Sequence, residues 1–375
     1  MTCLVSEICG GCRFRNLDET AYRQKKITAF EQMLKNIHQE NIPQGQPVFI
    51  PDGYRRRAGL AFQYRKGSLI LGFNEARSEN IINITSCSLL TEKLNAVLPD
   101  IRQLLTEICA VPFVEGKGKK QKTSYLNTGD VFICEADNGV DVVLEFDKAL
   151  ALEQRMIIFE TVQNTNGIIR ISHRRKADTF PEPIAEKVKP IINIAGYDIY
   201  IPAGTFLQPS KAGEQALTDL VIKYLGTTEG KIADLFCGVG TFSYPLSRNI
   251  NNKIFAIDSS AELLEGFRTS VNKNMISNIT IAAKNLFKYP LDEQELKGFS
   301  AIVFDPPRAG AAAQVKKIAE MAEKPEKIIA VSCNPNTFVN DANTLISAGY
   351  KISEITLVDQ FIYSNHSELV ALFTK

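Results

Sequence analysis

The sequence predicts an α/β fold, with a Rossmann-like, doubly wound sheet in the C-terminal half preceded by an N-terminal α+β domain. Three observations carry this. Beyond residue 200 the apolar runs KIADLF, KIFAID, ITIAA, AIVFDPP, KIIAVSC, KISEITLV and ELVALF alternate with helical segments, the pattern of βαβ units and a mainly parallel sheet. From about 48 to 195 the texture is one of short alternating stretches such as LAFQYRKGSLILGF, split by Gly and Asn turns, with a helix near 89–108; it suits antiparallel strands. Ahead of both lie a cysteine cluster and ETAYRQKKITAFEQMLKNIHQ, whose apolar positions recur at helical spacing. The expected domains are 1–47, 48–199 and 200–375.

A chain of 375 residues, 45% hydrophobic and 23% charged, is long enough for two or three cores. No apolar run approaches the roughly eighteen residues of a membrane span, and MTCLVSEICGGC lacks the basic region and apolar stretch of a secretory signal. A cytoplasmic protein with no membrane role is expected. In that reducing compartment eight cysteines serve metal ligation, catalysis or packing rather than disulfides. The net charge of +1 hides an uneven distribution: YRRRAGLAFQYRK (54–66) carries five basic residues, GKGKKQK (116–122) four, and ISHRRK (171–176) three beside His173. With Tyr54, Phe62 and Tyr64 among them, these runs make a candidate phosphate-binding face.

The first strand of the C-terminal half leads into ADLFCGVGTFSYPLS, which places Asp234, Gly238 and Gly240 at a strand-to-helix turn. Glycines there let backbone approach a ligand, and the following helix supplies free N–H groups. The third glycine of a dinucleotide fingerprint is absent, because Thr241, Phe242 and Ser243 follow Gly240. Asp258 closes the second strand, where a carboxylate can accept a ribose diol, and either NAD or S-adenosylmethionine would use it. Two features favour S-adenosylmethionine: the D-x-F-x-G-x-G turn suits a small amino-acid moiety, and the fourth strand ends in VFDPPR, with Asp305 at the carboxyl edge of the sheet.

Taken in order, DLFCGVGTF, FDPPR, SCNPNT and HSELVALF, prefaced by GTFLQPS (204–210), resemble the RNA uracil-C5 methyltransferase family over roughly the last 175 residues. The N-terminal cysteines and the YRRRA stretch extend the match. The resemblance implies a class I methyltransferase that moves a methyl group from S-adenosylmethionine to C5 of a uridine in structured RNA. Carried over by position, Cys333 is the nucleophile and Glu368 the general base, while Gln208, Phe236, Asp258 and Asp305 contact S-adenosylmethionine. Two positions depart from the family pattern: Asp258 stands where Glu is usual, and Asn285 where Asp is common.

The chemistry explains the residue types. Uracil C5 is a poor nucleophile, and a thiolate adding to C6 pushes electron density onto it; afterwards a carboxylate must remove the C5 proton so that the thiolate can leave. In HSE, residues two apart on a strand face one side, so His366 is expected beside Glu368 as an orienting group. Cys237, Cys109 and Cys134 are read as packing residues. A base inside a helix cannot present C5 and C6, so the target uridine is expected flipped or in a loop, its phosphates held by Arg55, Arg56, Arg57 and their neighbours. The sequence starts too close to Cys3 for an N-terminal β-barrel, so RNA grip is expected from this surface.

Cys3, Cys9, Cys12 and Cys87 form C-x5-C-x2-C-x74-C, with Gly10 and Gly11 permitting a tight turn. Zinc and an iron-sulfur centre both accept four thiolates, and spacing does not separate them. In the iron-sulfur branch of the family resembled, this pattern holds a four-iron four-sulfur (4Fe-4S) cluster, and the resemblance implies one here, in a structural role. That branch favours 23S ribosomal RNA as substrate. The alternatives are a tRNA uridine methyltransferase, a non-catalytic RNA-binding module on the same fold, and a dehydrogenase.

Overall fold

Alternation of side chains builds the first sheet. In Arg57–Arg65, Ala58, Leu60 and Phe62 point inward while Gly59 lies exposed between them, the two-residue period of a half-buried strand. The computed structural model describes residues 3–115 and 122–375 and divides into two units: Met1–Asn16, Asp52–Ile192 and Tyr200–Ser210 make the first, and Leu17–Pro51, Asn193–Ile199 and Lys211–Lys375 the second. Most of the basic run GKGKKQK, residues 116–121, lies outside the described residues.

In the first unit seven strands stand in the order Glu182–Glu186, Ile168–Arg174, Gly139–Glu145, Thr128–Ala136, Arg57–Arg65, Ser68–Asn74 and Ile81–Asn83. Neighbours are antiparallel except Gly139–Glu145 with Ile168–Arg174, a parallel pair that needs the crossover helix Leu152–Asn164. The expected helix near 89–108 is two helices, Glu92–Ala96 and Leu98–Ala110, the second beginning with a proline in its first turn. Leu98, Ile101, Leu105 and Ile108 of the longer helix enter a core with Leu60, Phe62, Val142 and Ile158.

The second unit holds the doubly wound sheet. Its eight strands run in the order Val48–Phe49, Lys351–Asp359, Glu368–Thr374, Lys327–Ser332, Phe299–Phe304, Lys231–Leu235, Lys253–Asp258 and Ile279–Ala283. All pairings are parallel except those of Glu368–Thr374, which runs antiparallel to both neighbours. Sequence order reverses at Lys231–Leu235 beside Phe299–Phe304, and such a switch point opens a crevice at the carboxyl ends. Helix Glu19–Leu34, capped by Asp18 accepting from the Ala21 N–H at 2.8 Å, belongs to this unit, and its Phe30, Met33 and Leu34 join a core with Leu235, Ile302 and Phe338. Among the described residues no helix is long and apolar enough to cross a membrane.

Candidate active site

The cofactor turn follows from backbone that only certain residues tolerate. After strand Lys231–Leu235 the chain enters the left-handed region at Phe236 (φ 61°), Gly238 (φ 54°) and Gly240 (φ 93°). A Cβ at Gly240 would lie 2.4 Å from Phe267 Cζ, so glycine is required there. Phe236 pays for its left-handed conformation with about 1–3 kcal/mol of strain, the kind of outlier that gathers at ligand sites. Its ring stacks 5.3 Å from that of Phe287, which remains partly exposed. Asp258 ties the turn down: one carboxylate oxygen accepts the Gly238 N–H at 3.0 Å and the other the Ser260 N–H at 3.0 Å.

Two residues of this turn were not singled out as a pair from sequence. The Ser243 hydroxyl donates to Asp234 Oδ2 at 2.6 Å beneath the loop, and Asp234 is fully buried. Burial pushes the Asp234 carboxyl up to about 7, against the Ser243 bond and with help from the charges of Asp305 and Asp258. The signal was the spacing: a serine nine residues after the strand aspartate, where a dinucleotide turn continues to a third glycine.

Cys333 stands between the end of strand Lys327–Ser332 and helix Pro335–Ser347, whose N-cap is Asn334. It is half-buried. Asn334 accepts the Asn336 N–H at 3.1 Å through Oδ1 and donates to the Arg308 carbonyl at 2.8 Å through Nδ2, joining the cysteine loop to the Asp-Pro-Pro-Arg loop. Asp341 of the same helix accepts the Ala311 N–H at 2.9 Å and fixes the far side of that loop. Glu368 opens the antiparallel strand and is 3% exposed, which removes the reading of a solvated edge carboxylate. Gln360 Nε2 donates to its Oε1 at 3.2 Å, while Oε2 is buried with no hydrogen-bond partner among the described residues.

These groups feel one another. Burial, then the carboxylates of Glu368 and Asp305, push the Cys333 thiol up to about 11, with Arg308 acting the other way. Burial and the Asp305 charge likewise raise Glu368 to about 8, against the Gln360 bond and Arg308. Both shifts favour the protonated forms, thiol and carboxyl, in the resting site. His366 is a correction to the strand argument: it precedes the strand, and instead of pairing with Glu368 by strand period its Nε2 meets Arg308 Nη2 at 3.2 Å. Cys237 is buried in the cofactor turn, as a packing residue would be.

In the first unit, Cys3, Cys9, Cys12 and Cys87 line one cavity of about 250 Å³ together with Phe73, Ile84 and Arg55. The Gly10 N–H donates to the Asn74 carbonyl at 3.0 Å, and a Cβ at Gly10 would come within 2.8 Å of that oxygen. Asn95 grips Cys87, accepting its N–H at 2.8 Å and donating to its carbonyl at 3.0 Å. Burial, then the neighbouring Cys87, push the Cys12 thiol up to about 12, and Cys9 and Cys3 add to it. Among the described residues no group of three or more His, Cys, Asp or Glu side chains is gathered tightly enough to hold a metal ion.

A second cavity of the first unit, about 350 Å³, is lined by Arg55, Arg57, Arg174, Phe132, Cys134 and Phe206, among others. Arg57 lies 3.8 Å over the Phe206 ring and Arg174 5.2 Å over Phe132, both aromatics exposed. Arg57 Nε is buried with no hydrogen-bond partner among the described residues. Arg56 does not belong to this face, contrary to the sequence expectation: it is 4% exposed and donates through Nε to the Gln208 carbonyl at 2.9 Å. Gln208, also of this unit, is itself buried. Cys134 lines the cavity rather than the core.

Known proteins resemble this chain over nearly all of its length. Its sequence is 32% identical over 376 residues to an uncharacterised RNA methyltransferase of Agrobacterium fabrum, an alignment covering 99% of this chain and 83% of the relative. To the 23S rRNA (uracil(1939)-C(5))-methyltransferase RlmD of Pectobacterium atrosepticum it is 27% identical over 379 residues, covering 97% and 78%. The Pyrococcus abyssi tRNA (uracil-54, C5)-methyltransferase, solved in complex with S-adenosyl-L-homocysteine, shares the fold with a TM-score of 0.72 at 23% identity, over 97% of this chain and 86% of that one. Residues 19–375 match the tRNA (uracil-5-)-methyltransferase family. With Phe236, Asp258, Asp305, Cys333 and Glu368 all at the carboxyl edge of one doubly wound sheet, the chain belongs to that family and is an S-adenosylmethionine-dependent RNA (uracil-5-)-methyltransferase.

Proposed function

We propose that this cytoplasmic enzyme methylates C5 of a specific uridine in 23S ribosomal RNA through a covalent bond between Cys333 and uracil C6. The observation that carries the reading is that Asp305, Cys333 and Glu368 stand at adjoining strand ends, near enough that the charges of Glu368 and Asp305 reach the Cys333 thiol and that of Asp305 reaches Glu368. S-adenosylmethionine supplies the methyl group on a sulfonium. Phe236, Asp258 and Asp305 bind it: the aromatic face of Phe236 takes an apolar part, and the remaining lone pairs of Asp258 accept from the ribose. The Cys333 thiol gives its proton to solvent, and the thiolate adds to C6, so that the C5=C6 electron pair is displaced into an enolate whose C5 is nucleophilic. Once C5 carries the methyl group, Glu368, its own proton first released to solvent, takes the C5 proton at Oε2, the acceptor left without a partner; the C5–H electrons reform the C5=C6 bond and the C6–S electrons return to sulfur.

The four cysteines hold a 4Fe-4S cluster in this proposal. A single zinc and a four-iron cluster both take four thiolates, and all four cysteines line one cavity of about 250 Å³. The set of four thiols around one cavity supports the cluster, whose part is to tie residue 87 to the N-terminal segment. Protein purified without oxygen is expected to be brown, with about four irons and four sulfides per chain; a colourless protein with one zinc overturns the assignment.

RNA with 5-fluorouridine cannot lose a proton from C5, so incubation with it and the methyl donor is expected to trap an adduct at Cys333. Labelling elsewhere, or none with a proven substrate, rejects the mechanism. The ribosomal target rests on the similarity to RlmD, and the tRNA target has the Pyrococcus structure in its favour. Mapping 5-methyluridine in both RNAs from cells with and without the protein decides between them.

A further inference from the structure

Helix Glu19–Leu34 buries one face, and along it Tyr22, Lys26, Phe30 and Met33 follow at helical spacing. Lys26 is the exception among apolar or aromatic neighbours: a lysine 4% exposed where a leucine would pack with no desolvation penalty. Burial pulls its ammonium below the ordinary lysine range, against the attraction of Asp359. Its three acceptors all lie on one distant segment. Nζ forms an ion pair with Asp359 at 2.9 Å and donates to the His366 carbonyl at 2.6 Å and to Ser367 Oγ at 3.2 Å. One turn earlier, the Tyr22 hydroxyl donates to Asp359 Oδ2 at 2.5 Å and accepts the Tyr363 N–H at 2.8 Å.

Asp359 ends one strand and Glu368 begins the next, so the helix grips the loop between them at its start, middle and end. Strand pairing fixes only the backbone of Glu368, opposite Val358. The orientation of its carboxyl depends on Gln360, next to Asp359, and on the course of the chain through His366 and Ser367. We infer that Lys26 and Tyr22 are positioning residues for Glu368, holding the 359–367 loop so that the carboxyl faces the C5 proton. The inference rests on the proposed role of Glu368 as base. Its chemical consequence is selective: loss of the clamp slows proton removal and breakage of the C6–S bond, and leaves thiolate addition and methyl transfer in place.

The test follows methyl-labelled S-adenosylmethionine in single turnovers on total RNA from cells lacking the protein, using full-length wild type, Glu368→Gln, Lys26→Met, Lys26→Arg and Tyr22→Phe. Label in free RNA reports completed reaction, and label in a denaturation-resistant protein–RNA band reports the methylated adduct. Lys26→Met and Tyr22→Phe are expected to label RNA-bound C5 within about twofold of wild type and to release the adduct about 10–100-fold more slowly, the scale of a misplacement near 1 Å. Lys26→Arg, which keeps the charge, is expected to restore part of the release. Transfer and release slowed together, or release unchanged, overturns the inference. Should Lys26→Met fail to bind S-adenosylmethionine, Tyr22→Phe, which removes one oxygen only, decides by the same criterion. Absence of adduct in Glu368→Gln rejects the base assignment beneath it instead.

Discussion

Glu368 restrains Cys333, because an ionised carboxylate beside the sulfur raises the energy of the thiolate. Glu368→Gln removes that charge. Alkylation of Cys333 by iodoacetamide, followed against pH, is expected to shift to lower pH in the variant; an unmoved or upward-shifted curve contradicts the coupling. The same carboxyl bears on stability. Its folded pKa of about 8 lies above the unfolded value, so the folded chain holds an extra proton between roughly pH 4.5 and 8. Stability from this group is complete below the unfolded pKa and is lost as pH rises through 8. Glu368→Gln is therefore expected to gain about 2–4 °C in Tm relative to wild type at pH 9 and to gain less at pH 5, measured by scanning fluorimetry.

At the scale of elements, the cofactor turn is held from below by a strand aspartate and a helix serine. Ser243→Ala leaves Asp234, already without a partner at Oδ1 among the described residues, short of its remaining side-chain donor. A cost of about 1–3 kcal/mol is expected, the penalty for an unsatisfied buried acceptor. It is expected to grow as pH rises above 7, where Asp234 ionises, and urea denaturation at pH 6 and 8 measures it. Equal loss at both pH values contradicts the ionisation. The helix Glu19–Leu34 illustrates what periodicity conveys: its existence follows from apolar spacing and Asp18 at the N-cap, but the burial of Lys26 does not. A lysine at that position reads as solvated until the residues that receive it, near the other end of the chain, are known.

For the whole molecule, charge is sorted by burial rather than by sequence neighbourhood. Arg55, Arg56 and Arg57 are adjacent, yet Arg56 is committed to the Gln208 carbonyl while Arg57 faces a cavity over Phe206. Arg57→Ala is expected to weaken RNA binding and reduce the salt slope by about one for each phosphate left without its arginine, with S-adenosylmethionine affinity unchanged. Arg56→Ala is expected to lower the Tm and leave the salt slope as it is. A filter-binding titration at several salt concentrations separates them, and identical slopes for both variants sink the distinction.

Much of this protein was legible in its residues. The strand runs, the D-x-F-x-G-x-G turn and the acid ending the second strand are local patterns, and local patterns determine the doubly wound sheet and the left-handed turn at its carboxyl edge because steric and hydrophobic periodicities act over a few residues. Folding alone decided what depends on long-range burial. It placed His366 before the strand and against Arg308, withdrew Arg56 from the surface, and set Lys26 against the loop that leads to Glu368. Desolvation is the physical reason: the same lysine or arginine is a solvated charge or a buried, directed one according to neighbours far along the chain, and no short window contains them.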